Sequence, residues 1–161
     1  MLEQLEFSMR VLIQRVREAS VRVGRREIGR IGPGFVLLVG IGREDIESNG
    51  AALEPMARKV LNLRIIEDEQ GKMNRSLLDA RGQILAVSQF TLHADCRRGR
   101  RPGFTPAAPP DQARPLFDRF VQILRDHGPK VQTGQFGAPM QVGLINDGPV
   151  TIWLDSTELF S

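Results

Sequence analysis

Residues 35–41, FVLLVGI, decide the fold class of this 161-residue sequence. The run is continuously apolar apart from one glycine, and it is far shorter than the 18 or so residues that a membrane span needs. A short apolar run bounded by turn residues is typical of a buried central strand. Gly32-Pro33-Gly34 supplies the boundary on its N-terminal side. The sequence therefore predicts a sheet with this strand near its centre.

Further strand patterns lie on both sides of the central run. Those before it form a hairpin that turns at Gly24-Arg25, and Asp147-Gly148-Pro149 is predicted to be the turn between the last two. The other predicted strands cover residues 10–16, 19–23, 27–31, 64–67, 83–92, 131–135, 140–146 and 150–154.

Two helices are predicted from apolar residues at helical spacing. The first has Leu53, Met56, Ala57, Val60 and Leu61 on one face, and it either begins near Pro55 or is kinked there. Asp45 is a candidate cap in front of it. The second is capped by Asp111 and ends at His127-Gly128-Pro129. With about eight strands, these helices indicate a single α/β or α+β domain with a mixed sheet.

The charge of the chain permits an anionic partner. The net charge is +3 and the isoelectric point is near 9.7, with 19 arginines against 3 lysines. Four arginines lie in the long loop of residues 94–110: Arg97, Arg98, Arg100 and Arg101. They are either a solvated loop or a surface that faces phosphates. The one cysteine, Cys96, cannot form an internal disulfide, and residues 1–8 do not have the pattern of a signal peptide, so we expect a cytoplasmic protein without a membrane segment.

The sequence lacks the residues that several classes of functional site require. His93 and His127 are the only histidines, and neither has a second histidine or cysteine at ligand spacing, so we expect no metal and no cofactor. His93, at the boundary of a strand and a loop, either lies at the surface or touches a ligand, and we expect the surface position. His127 is expected at the end of the second helix. The glycine-rich patterns of phosphate loops, hydrolase elbows and dinucleotide sites are absent from the sequence.

Two segments carry polar residues at positions that suggest a functional site. Ser88-Gln89-Phe90-Thr91-Leu92 places a hydroxyl, an amide and a second hydroxyl at the end of an apolar strand, and residues 146–151 read NDGPVT. Ordinary alternation explains the first, and a simple turn explains the second. Together with ADCRRGRRPGF, however, they resemble the D-aminoacyl-tRNA deacylase (D-tyrosyl-tRNA deacylase) family. IQRV, KVLNLRI, GKMN, QTGQF and MQVGLIND extend the resemblance from Met9 to about Leu154.

The resemblance defines a deacylase domain of residues 9–154, between an N-terminal extension of residues 1–8 and a C-terminal tail of residues 155–161. Gly103 stands where the family commonly has serine. The implied fold is a barrel-like arrangement of mixed β-sheets flanked by two main helices. The implied protein is a homodimeric hydrolase that cleaves the ester between a D-amino acid and the 3′ end of tRNA. It would also clear mischarged glycyl-tRNA and reject L-aminoacyl-tRNA, as a proofreading step in translation.

The resemblance also implies the site residues. Ser88, Gln89, Phe90 and Thr91 would form the floor of the aminoacyl pocket, and Gly148 and Pro149, joined by a cis bond, would enter from the partner subunit. Arg15 would hold that dipeptide, and the four loop arginines would bind tRNA phosphates.

For the chemistry we predict attack by water, assisted by the ribose 2′-OH, with backbone N–H groups of Phe90 and Thr91 stabilising the oxyanion. The alternative is a Thr91 nucleophile, for which no histidine or lysine is placed as a base. Phe90 or Phe104 either stacks on the terminal adenine or packs in the core of the protein. A non-catalytic RNA-binding module is the competing class of function.

Overall fold

A six-stranded mixed sheet dominates the computed structural model, which describes residues 8–160. The strand order is β2-β1-β3-β6-β7, and β8 pairs with β1; β4 and β5 form a separate ribbon. The strands are β1 (Arg10–Val23), β2 (Arg26–Ile31), β3 (Gly34–Gly40), β4 (Ile66–Glu67), β5 (Met73–Arg75), β6 (Gln83–Ser88), β7 (Val131–Thr133) and β8 (Gln141–Asp155).

The predicted central strand is confirmed as β3. It runs antiparallel to β1 and parallel to β6, so that Val39 lies opposite Val11 on one side and Ser88 on the other. The glycine that begins β3 permits a close approach to β6. A Cβ on Gly34 would lie 1.8 Å from the Gln83 carbonyl oxygen, and its φ of +159° is rarely adopted by other residues.

The sheet curls into a nearly closed barrel because β1 is long and β2 lies against β6 and β7. Two pairs of predicted strands are each one continuous strand here. Residues 10–16 and 19–23 are both parts of β1, and residues 140–146 and 150–154 fall almost entirely in β8. The predicted turn at Asp147-Gly148-Pro149 is wrong. Gln14 pairs with Thr151 and Val16 with Asn146, so residues 147–150 are an irregularity within β8, opposite Arg15.

The two predicted long helices are confirmed. α2 begins at Leu53 and contains no kink, because Pro55 lies in its first turn, where no intrahelical N–H is required. In α4, Pro109 is the cap residue and Asp111 lies in the first turn, which corrects its predicted role. The helices are α1 (Arg43–Glu47), α2 (Leu53–Asn62), α3 (Leu77–Ala80), α4 (Pro110–Asp126) and α5 (Ser156–Phe160), with a 3₁₀ helix at Phe90–His93.

Asp45 does not cap α2, whose cap residue is Ala52, but lies inside the short helix α1. Its carboxylate accepts hydrogen bonds from the Gly42 N–H at 2.8 Å and from the backbone and hydroxyl of Ser8. Burial raises the pKa of this carboxyl above its usual value. Of the expected extension, only Ser8 lies within the described residues. At the other end, Asp155 ends β8 and Ser156 is buried at the start of α5.

The core lies on both faces of the sheet, as alternation along a strand requires. Phe35 and Leu37 of β3 pack against α2 and α4, whereas Val36 belongs to the cluster inside the barrel with Leu85 and Val87 of β6. Among residues 8–160, no helix combines the length and apolarity that a bilayer span requires. The carboxyl ends of β3 and β6 are left open at the surface, and the candidate site lies there.

Candidate active site

A cleft of about 760 Å³ opens at the carboxyl end of β6. Ser88 ends that strand, and Gln89 and Phe90 follow it along the cleft. The wall is mostly apolar, with few polar groups, which is the usual composition of a small-molecule pocket. The other lining residues are Ile41, Arg43, Val87, Phe104, Ala107, Ala108, Pro109, Pro110, Ala113, Phe136, Gly137, Ala138, Met140 and Val142.

The chain changes direction directly after Ser88. The Gln89 N–H donates to the Val39 carbonyl at 2.7 Å, and a 3₁₀ helix then begins at Phe90. The prediction of one strand over residues 83–92 is therefore wrong for its last four residues. Its partner β3 ends at Gly40, so little of a strand remains for them to pair with. Because Phe90 and Thr91 begin a helix, their N–H groups have no acceptor within it.

This 3₁₀ helix is held from behind by a buried histidine. The predicted surface position of His93 is wrong, since its side chain is 2% exposed and its ring hydrogen-bonds to the Gly40 backbone. A Cβ on Gly40 or Gly42 would approach the ring to 3.1 Å, so the two glycines make room for the imidazole. Burial lowers the pKa of His93, and its Nε2 has no hydrogen-bond partner among the described residues.

A second contact fixes the end of the same helix. Arg10 donates from Nη1 to the Leu92 carbonyl at 2.8 Å and from Nε to Asp155 at 3.3 Å. Its guanidinium also lies 5.5 Å from the Trp153 ring centre. Arg10 thus joins the 3₁₀ helix to β8.

Thr91 is exposed beside the cleft but does not line it. Its hydroxyl accepts a hydrogen bond from the Gln89 side-chain amide. Within residues 8–160 no imidazole, amine or carboxylate hydrogen-bonds to this hydroxyl, so nothing there is positioned to deprotonate it. The arrangement favours a role for the backbone over a role for the Thr91 side chain.

Two phenylalanines stand at the mouth of the cleft. Phe90 is 53% exposed and Phe104 is 36% exposed, and their ring centres lie 5.0 Å apart in an edge-to-face arrangement. Phe104 follows the basic loop, and a backbone bridge between Asp95 and Gly103 closes that loop. Neither ring is buried in the core, so both are available to a ligand.

The loop arginines lie next to these rings. Arg97 forms a bidentate pair with Asp95 at 2.8 and 2.9 Å, which lowers the pKa of that carboxyl to about 2. In the described part of the chain, Arg98, Arg100 and Arg101 are exposed and have no ion-pair partner. Three of the four predicted phosphate-binding side chains are therefore free, while Arg97 is engaged in shaping the loop.

Gly148 and Pro149 are exposed in the middle of β8, and the peptide bond between them is cis, as the resemblance implies. Arg15 holds the preceding residue. This side chain is 6% exposed and donates to the Asp147 carbonyl at 2.9 Å and to the Ile65 carbonyl at 2.7 Å. Glu67 lies 3.6 Å from the same guanidinium.

The dipeptide lies outside the cleft of its own chain. Gly148 is at the level of Arg15, and Arg15 pairs through Phe35 with Ile84, four residues before Ser88. Three strand spacings of about 4.8 Å and four residues of about 3.3 Å separate the two, or roughly 20 Å along the sheet. Neither Gly148 nor Pro149 lines the cleft. The structure thus brings Ser88, Gln89 and Phe90 together but does not bring the dipeptide to them within one chain.

Sequence reasoning did not assign several residues of the cleft wall. Phe136 lies in the QTGQF motif, and Met140 and Val142 lie in MQVGLIND. These two motifs of the family resemblance could therefore have indicated that the three residues belong to the cleft. Arg43, whose guanidinium donates to the Thr105 carbonyl, belongs to no such motif. The described residues hold no group of three His, Cys, Asp or Glu side chains that could bind a metal.

Comparisons with known proteins show the family to which the chain belongs. Residues 12–155 match the model of the family described as D-Tyr-tRNA(Tyr) deacylase. The chain is 60% identical to a D-aminoacyl-tRNA deacylase of Thermomicrobium roseum, covering 94% of this chain and 96% of that one. It is 55% identical to the protein of that name from Thermotoga petrophila, covering 94% and 100%.

Two solved structures have the same fold. One is described as a c-Myc DNA unwinding element binding protein, with a TM-score of 0.83 and 45% identity over 90% of this chain and 97% of that one. The other is described as a probable eukaryotic D-amino acid tRNA deacylase, with a TM-score of 0.76, and covers 92% and 100%; at 20% identity it supports the fold alone. By the extent of the family match and by its identity to these relatives, the chain belongs to the D-Tyr-tRNA(Tyr) deacylase family.

Proposed function

We propose that this chain hydrolyses the ester bond of D-aminoacyl-tRNA, releasing the D-amino acid and the tRNA, and that it leaves L-aminoacyl-tRNA intact as a chiral proofreading enzyme of the cytoplasm. The observation that carries the proposal is the position of Ser88, Gln89 and Phe90, the family's SQF sequence, in a cleft beside the start of a 3₁₀ helix, where the N–H groups of Phe90 and Thr91 have no acceptor within that helix. Such donors stabilise the oxyanion that forms when an ester is attacked.

The reaction needs an attacking oxygen and a proton acceptor. Water adds to the ester carbonyl, the developing oxyanion is bound by the N–H groups of Phe90 and Thr91, and the 3′-oxygen of the terminal ribose leaves with a proton. Among the described residues no basic side chain contacts Thr91, so its hydroxyl is not activated as a nucleophile. The neighbouring 2′-OH of the substrate assists the attacking water instead. Exposed Phe90 or Phe104 stacks on the terminal adenine. No metal or cofactor takes part.

The Thr91 side chain is the test of this chemistry. Thr91→Ala retains the backbone N–H and is expected to keep substantial activity, whereas a substrate with a 2′-deoxy terminal adenosine is expected to lose most of it. Both rates are measured as release of labelled D-amino acid. An acyl-Thr91 intermediate, detected by mass spectrometry after rapid quenching, would show that the reaction is covalent.

We propose further that two copies of the chain form the working enzyme, with Gly148 and Pro149 of one copy closing the cleft of the other. The support is geometric: the dipeptide is exposed on β8, an edge strand, and lies roughly 20 Å along the sheet from its own cleft. Backbone placed against the Cα of the substrate leaves no space for an L side chain, while D-residues of many sizes and glycine fit. A side-chain pocket alone discriminates weakly, since one methylene is worth about 1–3 kcal/mol.

Complementation between variants tests this arrangement. A variant with a blocked cleft, such as Ser88→Trp, is mixed with Gly148→Ala under conditions of subunit exchange. One intact site should form in each mixed dimer, so chiral selectivity should return in the mixture. If Gly148→Ala alone still hydrolyses D-aminoacyl-tRNA and spares L-aminoacyl-tRNA normally, or if the chain is monomeric by analytical ultracentrifugation while fully active, the shared site is wrong.

The competing function, a non-catalytic RNA-binding module, shares the basic loop but gives no role to the cleft. Matched D- and L-aminoacyl-tRNA distinguish the two. Release of D-amino acid alone, undiminished by chelator on an aminoacyl-oligonucleotide, is the result expected of the enzyme. Release of neither amino acid, with tRNA still bound, would favour the binding module.

A further inference from the structure

The hairpin between β1 and β2 carries a second group of arginines, separate from the loop of residues 97–101. Arg25 lies in the turn and Arg26 begins β2, and both are exposed. Arg22, near the end of β1, is exposed on the same hairpin. Three guanidinium groups therefore lie within five positions at one tip.

Of the three tip arginines, only Arg22 has a carboxylate neighbour among the described residues. That carboxylate is Glu27, which lies 3.8 Å from Arg22 and is shared with Arg30, 2.7 Å away. Within residues 8–160, no carboxylate comes within 4.0 Å of Arg25 or Arg26. Arg25 and Arg26 differ in this respect from Arg97, whose guanidinium is paired with Asp95. Their free charge is what a polyanion would meet.

The register of the sheet sets this tip beside the cleft. Arg22 lies opposite Gln141, and Val21 lies opposite Val142, at the beginning of β8. Met140 and Val142 line the cleft, whereas the loop of residues 97–101 adjoins it at Phe104, on a different part of the wall. Val23 pairs with Arg26 one residue, or about 3.3 Å, beyond the level of the Arg22–Gln141 pair, and Arg25 lies in the turn that follows.

We propose that the hairpin tip, Arg22, Arg25 and Arg26, binds phosphates of the tRNA acceptor stem while the aminoacylated end lies in the cleft. The inference rests on the proposed function, which puts the 3′ end of the tRNA in the cleft. It adds that the acceptor stem runs between the hairpin tip and the loop of residues 97–101. Arginine suits phosphate because its planar fork donates two hydrogen bonds to one anion.

Charge removal at the tip tests the proposal. The double variant Arg25→Gln/Arg26→Gln is compared with the unaltered protein for binding of uncharged tRNA, by fluorescence anisotropy across a salt series. Each phosphate contact adds about 0.7–0.9 to the slope of log affinity against log salt. Loss of two contacts lowers the slope by about 1.4–1.8, so between 50 and 200 mM salt the unaltered protein should lose about 7–12-fold more affinity than the variant.

Two controls make the result specific. Arg58→Gln/Lys59→Gln removes two exposed charges from α2, no residue of which lines the cleft, and should leave the slope unchanged. A D-aminoacyl adenosine carries no phosphate for the hairpin to bind, so kcat/KM for it should be equal in the variant and the unaltered protein. An unchanged slope for the hairpin variant, an equal change in the α2 variant, or a matching loss on the aminoacyl adenosine would overturn the proposal. Binding of uncharged tRNA needs no hydrolysis, so a failure of the proposed activity would be seen separately.

Discussion

Replacing Arg15 tests how firmly the structure holds the Gly148–Pro149 segment. Its buried guanidinium donates to the carbonyls of Asp147 and Ile65, at 2.9 and 2.7 Å. In Arg15→Leu both carbonyls lose their donor, and a buried polar group left unpaired costs about 1–3 kcal/mol. The nearby Glu67 is more than half exposed, so losing that ion pair adds little. The Ile65 contact is buried, whereas the Asp147 contact is part-buried and water can replace it, so the expected decrease in the free energy of unfolding is about 1–3 kcal/mol.

The assay is urea unfolding at a fixed protein concentration, because subunit association would otherwise shift the midpoint. Arg15→Lys retains one charge and is expected to be intermediate, since an ammonium on a flexible stem lacks the guanidinium fork. Arg17→Leu is the matched control. Its side chain is 75% exposed and lies 3.8 Å from the Asp147 carboxylate, so the expected loss is only about 0–1 kcal/mol.

Activity supplies the second measurement. Arg15→Lys should lower the ratio of kcat/KM for D-aminoacyl-tRNA to that for L-aminoacyl-tRNA, because Asp147 is bonded directly to Gly148. A loss of stability in Arg15→Leu below about 1 kcal/mol would mean that water replaces the guanidinium at both carbonyls. A destabilised Arg15→Lys enzyme with an unchanged D-to-L ratio would refute the link between Arg15 and chiral selection.

Substitutions at three further positions probe the cleft and its support. Phe104→Ala should lower kcat/KM by about 5–150-fold if this ring stacks on the adenine, since a stacked base is worth about 1–3 kcal/mol; an unchanged kcat/KM would exclude that contact. Because burial lowers the pKa of His93, the folded protein stays uncharged there while the unfolded chain binds a proton below about pH 6.5. The free energy of unfolding should therefore fall below that pH, by at most about 1.4 kcal/mol per pH unit, and His93→Gln should abolish this slope in pH-dependent urea titrations. Arg10 holds the Leu92 carbonyl and so positions the 3₁₀ helix, so Arg10→Gln should reduce kcat more than it raises KM. Arg10→Lys should partly restore kcat. An effect on KM alone, or an equal loss of kcat in the two variants, would contradict this.

The sequence predicted the parts of the fold that depend on local pattern. The central strand and the apolar faces of α2 and α4 follow from periodicity, and they are found as expected. The errors occur where tertiary contacts decide. His93 reads as a polar residue at the boundary of a loop, but Gly40 and Gly42 on distant elements of the fold create the space that buries it. No local pattern records that space.

The segment at Asp147-Gly148-Pro149 shows the same limit. Glycine and proline between two strand patterns ordinarily mark a turn. Here β1 continues past them and pairs with β8 on both sides, so the residues are kept within one strand. Ser88, Gln89 and Phe90 were assigned to a pocket only because SQFTL matches a family motif, since polar residues there are equally consistent with ordinary alternation; Thr91, assigned with them, does not line the cleft. Arg43, which also lines the cleft, has no such motif and was missed.

The proposed shared site also accounts for a long uncovered strand edge. β8 has 15 residues and, among the strands of residues 8–160, pairs with β1 alone, so its other edge presents backbone donors and acceptors that invite association. Ile145 and Trp153 are large apolar side chains exposed on this strand. A second copy seated here would cover apolar surface and deliver Gly148 and Pro149 to a cleft that its own chain leaves open. Association and chiral selection would then have one structural cause, and a variant that weakens the dimer should lose D-to-L selectivity at the same protein concentration at which it dissociates.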